Sequence, residues 1–318
     1  MTTPADDPML VFDRATLRRR RERAAVAWDG AAFLKREIAE RLVDRLDDIR
    51  RAFPLAVDLG CHGGEVGAAL RHAGGPPRAD GRRRGGVETL VSVDLAAPFA
   101  RRAAAHGPAL AADEELLPFA PASVDLVTSA MALHWVNDLP GALAQIAGAL
   151  RPDGLFLAAM LGGGTLFELR RALAQAESDI DGGLSPRVSP FADLRDAAGL
   201  LQRAGFAMPV ADSETIEVRY ADTLALMRDL KAMGESNAVR GRRGGLGGRE
   251  VLARAAALHD AAHRGADGRV PARFEVLFLH GWAPHASQPK PLRPGSAAAR
   301  LADALGTVER SAGEKPGG

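Results

Sequence analysis

From Pro54 onward, apolar runs of four to six residues alternate with stretches of helical periodicity. That alternation leaves few architectures open, because it is the pattern of a parallel sheet whose strands are joined by crossover helices. The strand candidates are Leu55 to Leu59, Thr89 to Asp94, Ala109 to Ala112, Val124 to Ser129 and Leu155 to Met160. Helical stretches lie between and after them, at Gly64 to His72, Ala97 to Ala105, Leu139 to Leu150 and Thr165 to Ala176. Five such units in about 120 residues predict one doubly wound α/β domain.

Around this block the pattern is looser. Leu34, Ile38, Leu42, Leu46 and Ile49 recur at helical spacing from Phe33 to Arg51, and Pro54 closes that helix. Ahead of it, Arg14, Arg18, Arg19, Arg20, Arg21 and Arg23 form a basic run. A solvated helix face is the plain reading of such a run, and a docking surface the functional one. Gly74 to Gly86 and Arg240 to Arg249 read as flexible surface insertions. Beyond Pro190, helices are expected at Leu194 to Ala204, Leu224 to Met233 and Val251 to His263, with strands at Ile216 to Tyr220 and Phe274 to Trp282. Prolines 284, 289, 291 and 294 predict a tail that wraps the surface.

Composition excludes several functions. The 318 residues carry 41 Lys and Arg against 40 Asp and Glu, a net charge of +1, so nothing global attracts nucleic acid or anionic lipid. The single cysteine, Cys61, rules out a disulfide framework and any multi-cysteine metal site. No apolar stretch approaches the roughly 20 residues of a membrane span, and the N-terminus, with Asp6 and Asp7 and no apolar core, resembles neither a signal nor a transit peptide. A cytoplasmic location is expected.

The chemistry concentrates at Val57-Asp58-Leu59-Gly60-Cys61-His62-Gly63-Gly64, where the first strand turns into a helix. Ligands bind at that point in doubly wound sheets, through a close-approach glycine and the N–H groups of the next helix. A phosphate loop would need Gly-Lys-Ser/Thr, and a dinucleotide turn would need glycine at His62 and Glu65; neither is present. The remaining pattern, DLGxxxG, suits S-adenosylmethionine, with Asp58 facing its ammonium group. Asp94, ending the second strand, is the expected acceptor for the ribose hydroxyls. It lies 34 positions after Gly60, and 21 once the 13-residue insertion is set aside, near the usual spacing of about 20. Asp113, after the third strand, is placed for the adenine amino group. Cys61, Gly64, Leu95, Glu114 and Ser129 complete the expected cofactor set. His134 and Trp135, after the fourth strand, are the candidate substrate contacts. His259 and His263, at i and i+4, resemble a zinc motif but lack its glutamate and a third ligand, so no metal site is expected.

Four segments stand outside this general pattern: Phe12-Asp13-Arg14, Leu133 to Pro140, Asp229 to Asn237, and His280 to His285 continuing through Ser287 to Pro291. With them the chain, from about Phe12 to Ala298, resembles the methyltransferase-like family of mitochondrial complex I assembly factors and their bacterial relatives. The resemblance implies a class I methyltransferase fold with a mostly parallel seven-stranded sheet. It divides the chain into a helical extension (1–53), a methyltransferase-like domain (54–285) with a helical insertion at about 222–265, and an extended tail (286–318). It implies S-adenosylmethionine as cofactor and, as protein substrate, the iron–sulfur subunit of NADH:ubiquinone oxidoreductase (complex I), hydroxylated on an arginine. Location would be the bacterial cytoplasm or the mitochondrial matrix side, with peripheral membrane association left open and no nucleic acid involved. A cousin family methylates the carboxyl group of a malonyl thioester, and a non-catalytic assembly chaperone is a third reading. His62 replaces the usual second glycine of the loop. Gly164 stands where the family often has an acid, which makes Glu235 the candidate partner for a substrate guanidinium.

Overall fold

The computed structural model describes residues 10–71, 83–243 and 248–289, with Asp303 and residues 306–308. By their contacts the residues form two compact units, Met1–Pro284 and His285–Gly318. In the first unit, three helices, α1 (Arg14–Ala24), α2 (Trp28–Ala31) and α3 (Phe33–Asp44), precede the alternating block. That block runs β1 (Leu55–Leu59), α4 (Glu65–Arg71), β2 (Thr89–Asp94), α5 (Ala97–Ala103), β3 (Ala109–Ala111), β4 (Val124–Ala130), α6 (Leu139–Ala149) and β5 (Leu150–Leu161). There follow α7 (Phe167–Asp181), α8 (Leu194–Arg203), β6 (Ala207–Tyr220), α9 (Thr223–Ala232), α10 (Arg249–His263) and β7 (Val270–Trp282).

The seven strands lie in the order β3-β2-β1-β4-β5-β7-β6. Those from β3 to β5 pair in parallel, and β7 runs antiparallel to both β5 and β6. Successive residues along each strand enter opposite cores, because side chains alternate across a sheet. Ala56, Leu90 and Leu126 join the helices α3, α7 and α10 on one face, while Val57, Val93 and Val127 join α6 and α8 on the other. The chain reverses direction across the sheet between β1 and β4, which opens a crevice at their carboxyl ends.

The predicted strands are present, and three are longer than expected by several residues. β6 begins at Ala207 rather than Ile216 and β7 at Val270 rather than Phe274. Pro209 and the acids of β6 hid its first half; an edge strand tolerates them, and the pairing with β7 shifts register between Ala207 and Val210. β5 also gains Leu150 to Gly154, past a register shift against β4. The helix expected from Phe33 to Arg51 ends at Asp44, because Leu46 and Ile49 continue the apolar pattern through tight turns bonded to Val43 and Leu46. Of the insertion Gly74 to Gly86, residues 74–82 lie outside the described residues. Arg84 is no surface residue: it is buried and paired with Asp44 and Asp47. Residues 244–247 of the second insertion and most of the tail, from 290 on, also lie outside the described residues.

Candidate functional site

β1 delivers Asp58 and Gly60 to the crevice. Gly60 has φ +66, and a Cβ there would stand 2.1 Å from that of Ala132, so only glycine closes this turn. Asp58 is fully buried; its Oδ1 accepts from the Thr128 hydroxyl at 3.2 Å and its Oδ2 has no partner. Burial pushes its pKa up to about 7, with Lys35 opposing. Asp94, at the end of β2, accepts from the backbone N–H of His62 at 3.0 Å and of Ala96 at 2.8 Å. Burial raises its pKa, against the pull of Arg21.

Three cations from the N-terminal helices meet these acids. The Arg21 Nη1 lies 2.6 Å from Glu114 and 3.8 Å from Asp94, with all three residues buried. Arg14 donates to Asp113, Glu114 and the Trp135 carbonyl. Burial alone would raise the Glu114 pKa; Arg21 and Arg14 overcome it and hold the group at about 2. The buried Lys35 ammonium donates to the carbonyls of Gly60, at 2.7 Å, and Ala130, and it lies 2.8 Å from His62 Nδ1. The His62 ring stacks on Trp28, whose N–H donates to Glu65. Burial pushes the His62 pKa well below the usual histidine range, with Lys35 and Arg21 acting in the same sense.

The expected cofactor set is therefore assembled but spoken for. Asp58, Gly60, Asp94, Asp113 and Glu114 converge on the crevice, yet Lys35 holds the Gly60 carbonyl and Arg21 faces Asp94. A space of about 10 Å³ between Trp28, Lys35, His62, Met131 and Glu235, roughly one water, adjoins the turn. In this arrangement the groups that would hold S-adenosylmethionine are already bonded within the chain. Ser129 spends its hydroxyl on the Leu59 carbonyl, joining β4 to β1; Cys61 is buried with its thiol pushed up by burial; Leu95 packs beside Phe12 and Trp135.

The substrate candidates come together more openly. A 3-10 turn, Leu133–Trp135, follows β4 and presents both His134 and Trp135 to Glu235, which lies just past α9. Its Oε2 is 3.1 Å from His134 Nε2 and 3.0 Å from the Trp135 indole nitrogen. Trp135 meets Phe12 edge-on, and Phe12 and Asn137 exchange two hydrogen bonds. Three of the four distinctive segments thus converge, while His280 to Trp282 lie in β7. Trp135 and Glu235 border a largely apolar cavity of about 350 Å³ that also takes in Phe191, Lys231 and Phe274. At Gly164 a Cβ would stand 3.1 Å from the Glu275 carboxylate, which fills the place beside that glycine and accepts its N–H. His259 is turned to the Thr223 hydroxyl, and among the described residues no group of three or more His, Cys, Asp or Glu is placed to hold a metal ion.

Sequence reasoning missed Arg21 and Lys35 as parts of the site. The signal was present: Arg14, Leu17, Arg21 and Ala24 recur on one stripe of α1, and Lys35 stands among the buried Leu34, Ile38 and Ala39 of α3.

A switch-point crevice with a glycine turn and acidic strand ends defines a class I methyltransferase-fold protein. Consistent with this, residues 57–158 match the family model described as a methyltransferase domain. The solved structure of the YcgJ protein from Bacillus subtilis superposes with a TM-score of 0.52 at 14% identity, covering 77% of this chain and 98% of its own, which supports the fold alone. Among curated proteins, the mitochondrial arginine-hydroxylase NDUFAF5 of Danio rerio is 41% identical over 93% of this chain and 89% of its own length. That of Homo sapiens is 40% identical over 90% and 81%. A malonyl-[acyl-carrier protein] O-methyltransferase of Laribacter hongkongensis is 41% identical over 89% and 94%. The chain belongs to the methyltransferase-fold family that contains the NDUFAF5 arginine hydroxylases and these O-methyltransferases. Among the described residues no helix is long and apolar enough to cross a membrane.

Proposed function

We propose that this chain modifies, by hydroxylation, an arginine in the iron–sulfur subunit of complex I during assembly, with Glu235 receiving the guanidinium; molecular oxygen and an external two-electron reductant would supply one oxygen atom to the C–H bond and release the other as water. The carrying observation is a mostly buried carboxylate, fixed by two ring nitrogens, on the wall of an apolar cavity. Such a group pairs with a planar cation and sets its orientation, because charge-assisted contacts gain strength where water is excluded. Trp135 adds an aromatic face for the same cation. His134 holds Glu235 in place from a fully buried ring. Support for the reaction comes from the two NDUFAF5 relatives, which are named arginine hydroxylases.

S-adenosylmethionine enters this reading as a ligand of a second arrangement, in which α1 and Lys35 have released the crevice. The polar groups it would use, Asp94 and the carbonyls of Gly60 and Ala130, are those that Arg21 and Lys35 now engage. A methyltransferase of a carboxylate substrate is the second reading. It is favoured by Lys231, an ammonium on the same cavity wall, and by the O-methyltransferase relative, which is as similar as the hydroxylases.

Peptide mass spectrometry of the complex I subunit, from cells with and without this gene, tests the proposal. One extra oxygen on an arginine is the expected result. An extra methylene would point to methyl transfer. An unchanged subunit with complex I lost would leave a chaperone as the better account.

A further inference from the structure

A second recess of about 510 Å³ lies between α1 and α9, lined by Arg20, Arg23, Arg228 and Lys231 with small residues and Ser236. None of its lining residues is acidic, and none of the four cations is in an ion pair among the described residues. Arg20 donates to the carbonyls of Ser236 and Asn237, which fixes its guanidinium without neutralising it. Burial and the nearby guanidiniums of Arg242 and Arg23 lower its pKa, as expected where positive charge is in excess. In a chain of net charge +1, four cations in one recess, with no acid lining it and Asp13 near Arg20, are a local concentration that average composition does not explain.

Its position gives it a purpose. Lys231 and Ser236 line both this recess and the cavity that holds Glu235. The two spaces thus share a wall, and a chain lying over Lys231 and Ser236 borders both. The four cations lie in the C-terminal halves of their helices, where the backbone leaves carbonyls rather than N–H groups unbonded. A phosphate pocket is normally built on N–H donors at a helix start. Here side-chain cations act alone, spread over a recess much larger than one phosphate, which suits several carboxylates on an extended chain.

We infer that the recess binds an acidic segment of the protein substrate, next to the arginine that enters the Glu235 cavity. This rests on the protein-arginine reading above, and it adds a sequence preference to it: acids close to the modified arginine.

The test uses the full chain and fluorescence anisotropy with three labelled peptides: an arginine flanked by Asp and Glu, the same peptide with Asn and Gln, and the acidic peptide with Met for the arginine. The acidic arginine peptide should bind about tenfold more tightly than its neutral counterpart, and raised salt should erase the difference. Arg23→Glu with Arg228→Glu should remove that advantage. Arg50→Glu with Arg101→Glu, also exposed and equal in charge, should retain it. Equal binding of the acidic and neutral peptides, or equal loss in both double variants, would overturn the inference. So would binding of phosphatidylglycerol vesicles that depends on Arg23 and Arg228 without any preference for the acidic peptide. If the Met-for-Arg peptide binds as well as its parent while the acid preference persists, the recess assignment stands and the arginine reading fails.

Discussion

Exchanging the buried Arg21–Glu114 pair for neutral groups of similar size should open the crevice to S-adenosylmethionine. If the closed arrangement dominates, the apparent dissociation constant is the intrinsic one divided by the fraction of chains that are open. The Glu114 pKa, held at about 2 from an ordinary 4.5, sets the scale of what closure gains from its arginines. A shift of that size corresponds to about 3 kcal/mol, and some of it is recovered when the opened carboxylate meets water. A gain of about one to three kcal/mol, on the order of ten- to a hundredfold in affinity, is expected once the pair is gone. Arg21→Met alone would strand a buried carboxylate at a cost of about 3 to 5 kcal/mol, so the variant to make is Arg21→Met with Glu114→Gln. Replacing both partners keeps the volume but takes Arg21 from the buried Asp94 and Glu114 from Arg14, so the melting temperature should fall by several degrees while the chain stays folded. Titration calorimetry should then show S-adenosylmethionine binding ten- to a hundredfold more tightly than in the unaltered chain. Amide exchange across Arg14 to Ala24 should accelerate when the ligand is added to the unaltered chain. A folded double variant with equal or weaker affinity would refute the view that these cations compete with the cofactor.

Asp94→Ala should weaken S-adenosylmethionine by about 2 to 4 kcal/mol, the loss of two charge-assisted hydrogen bonds, in the Arg21→Met/Glu114→Gln background where binding is measurable by calorimetry. Glu235→Gln keeps the shape and one acceptor oxygen, so thermal stability should hold while arginine modification, followed by mass spectrometry, falls by about a hundredfold. Glu114 binds its proton less readily folded than unfolded, so its contribution is present above pH 4.5 and lost as the pH falls toward about 2. Chemical denaturation between those values should show a steep fall that flattens in Arg21→Met/Glu114→Gln. Asp58 has the opposite sign: folded, it holds its proton up to about pH 7 against an ordinary 3.8, so it costs stability progressively between those values, up to about 4 kcal/mol. Asp58→Asn should abolish that decline, and an unchanged profile would mean that Lys35 rather than Asp58 carries the buried charge balance.

Local chemistry shows plainly in the chain where strand and turn carry it. The five runs after Pro54 became five parallel strands because each is a short apolar segment between helical stretches, and Asp94 sits where its distance from Gly60 places it. The convergence of Phe12, Trp135 and Glu235 was visible only as three unusual segments, since nothing in their spacing says that they touch. The length of β6 was hidden because its first half carries Pro209 and Asp212 in place of a clear apolar run, and Asp212 and Glu214 are held by Arg45 and Arg41, far away in sequence.

The basic run of α1 shows where reading a chain in order breaks down. Six arginines on one helix look solvated because burying a guanidinium costs several kcal/mol without a partner. The partner of Arg21 is 93 positions away, at the end of the third strand, and that of Arg14 about a hundred. Whether a cation on the apolar stripe points inward is thus decided by tertiary pairing, which helical periodicity cannot express. The same pairing limits what the fold implies about activity. The strand-end acids are those of a cofactor-binding methyltransferase fold, but an acid can serve a ribose or a neighbouring arginine and not both at once. In this chain the arginine that faces Asp94 and Glu114 comes from the first helix, so on the proposed reading the site answers to a segment outside the architecture that the sheet builds.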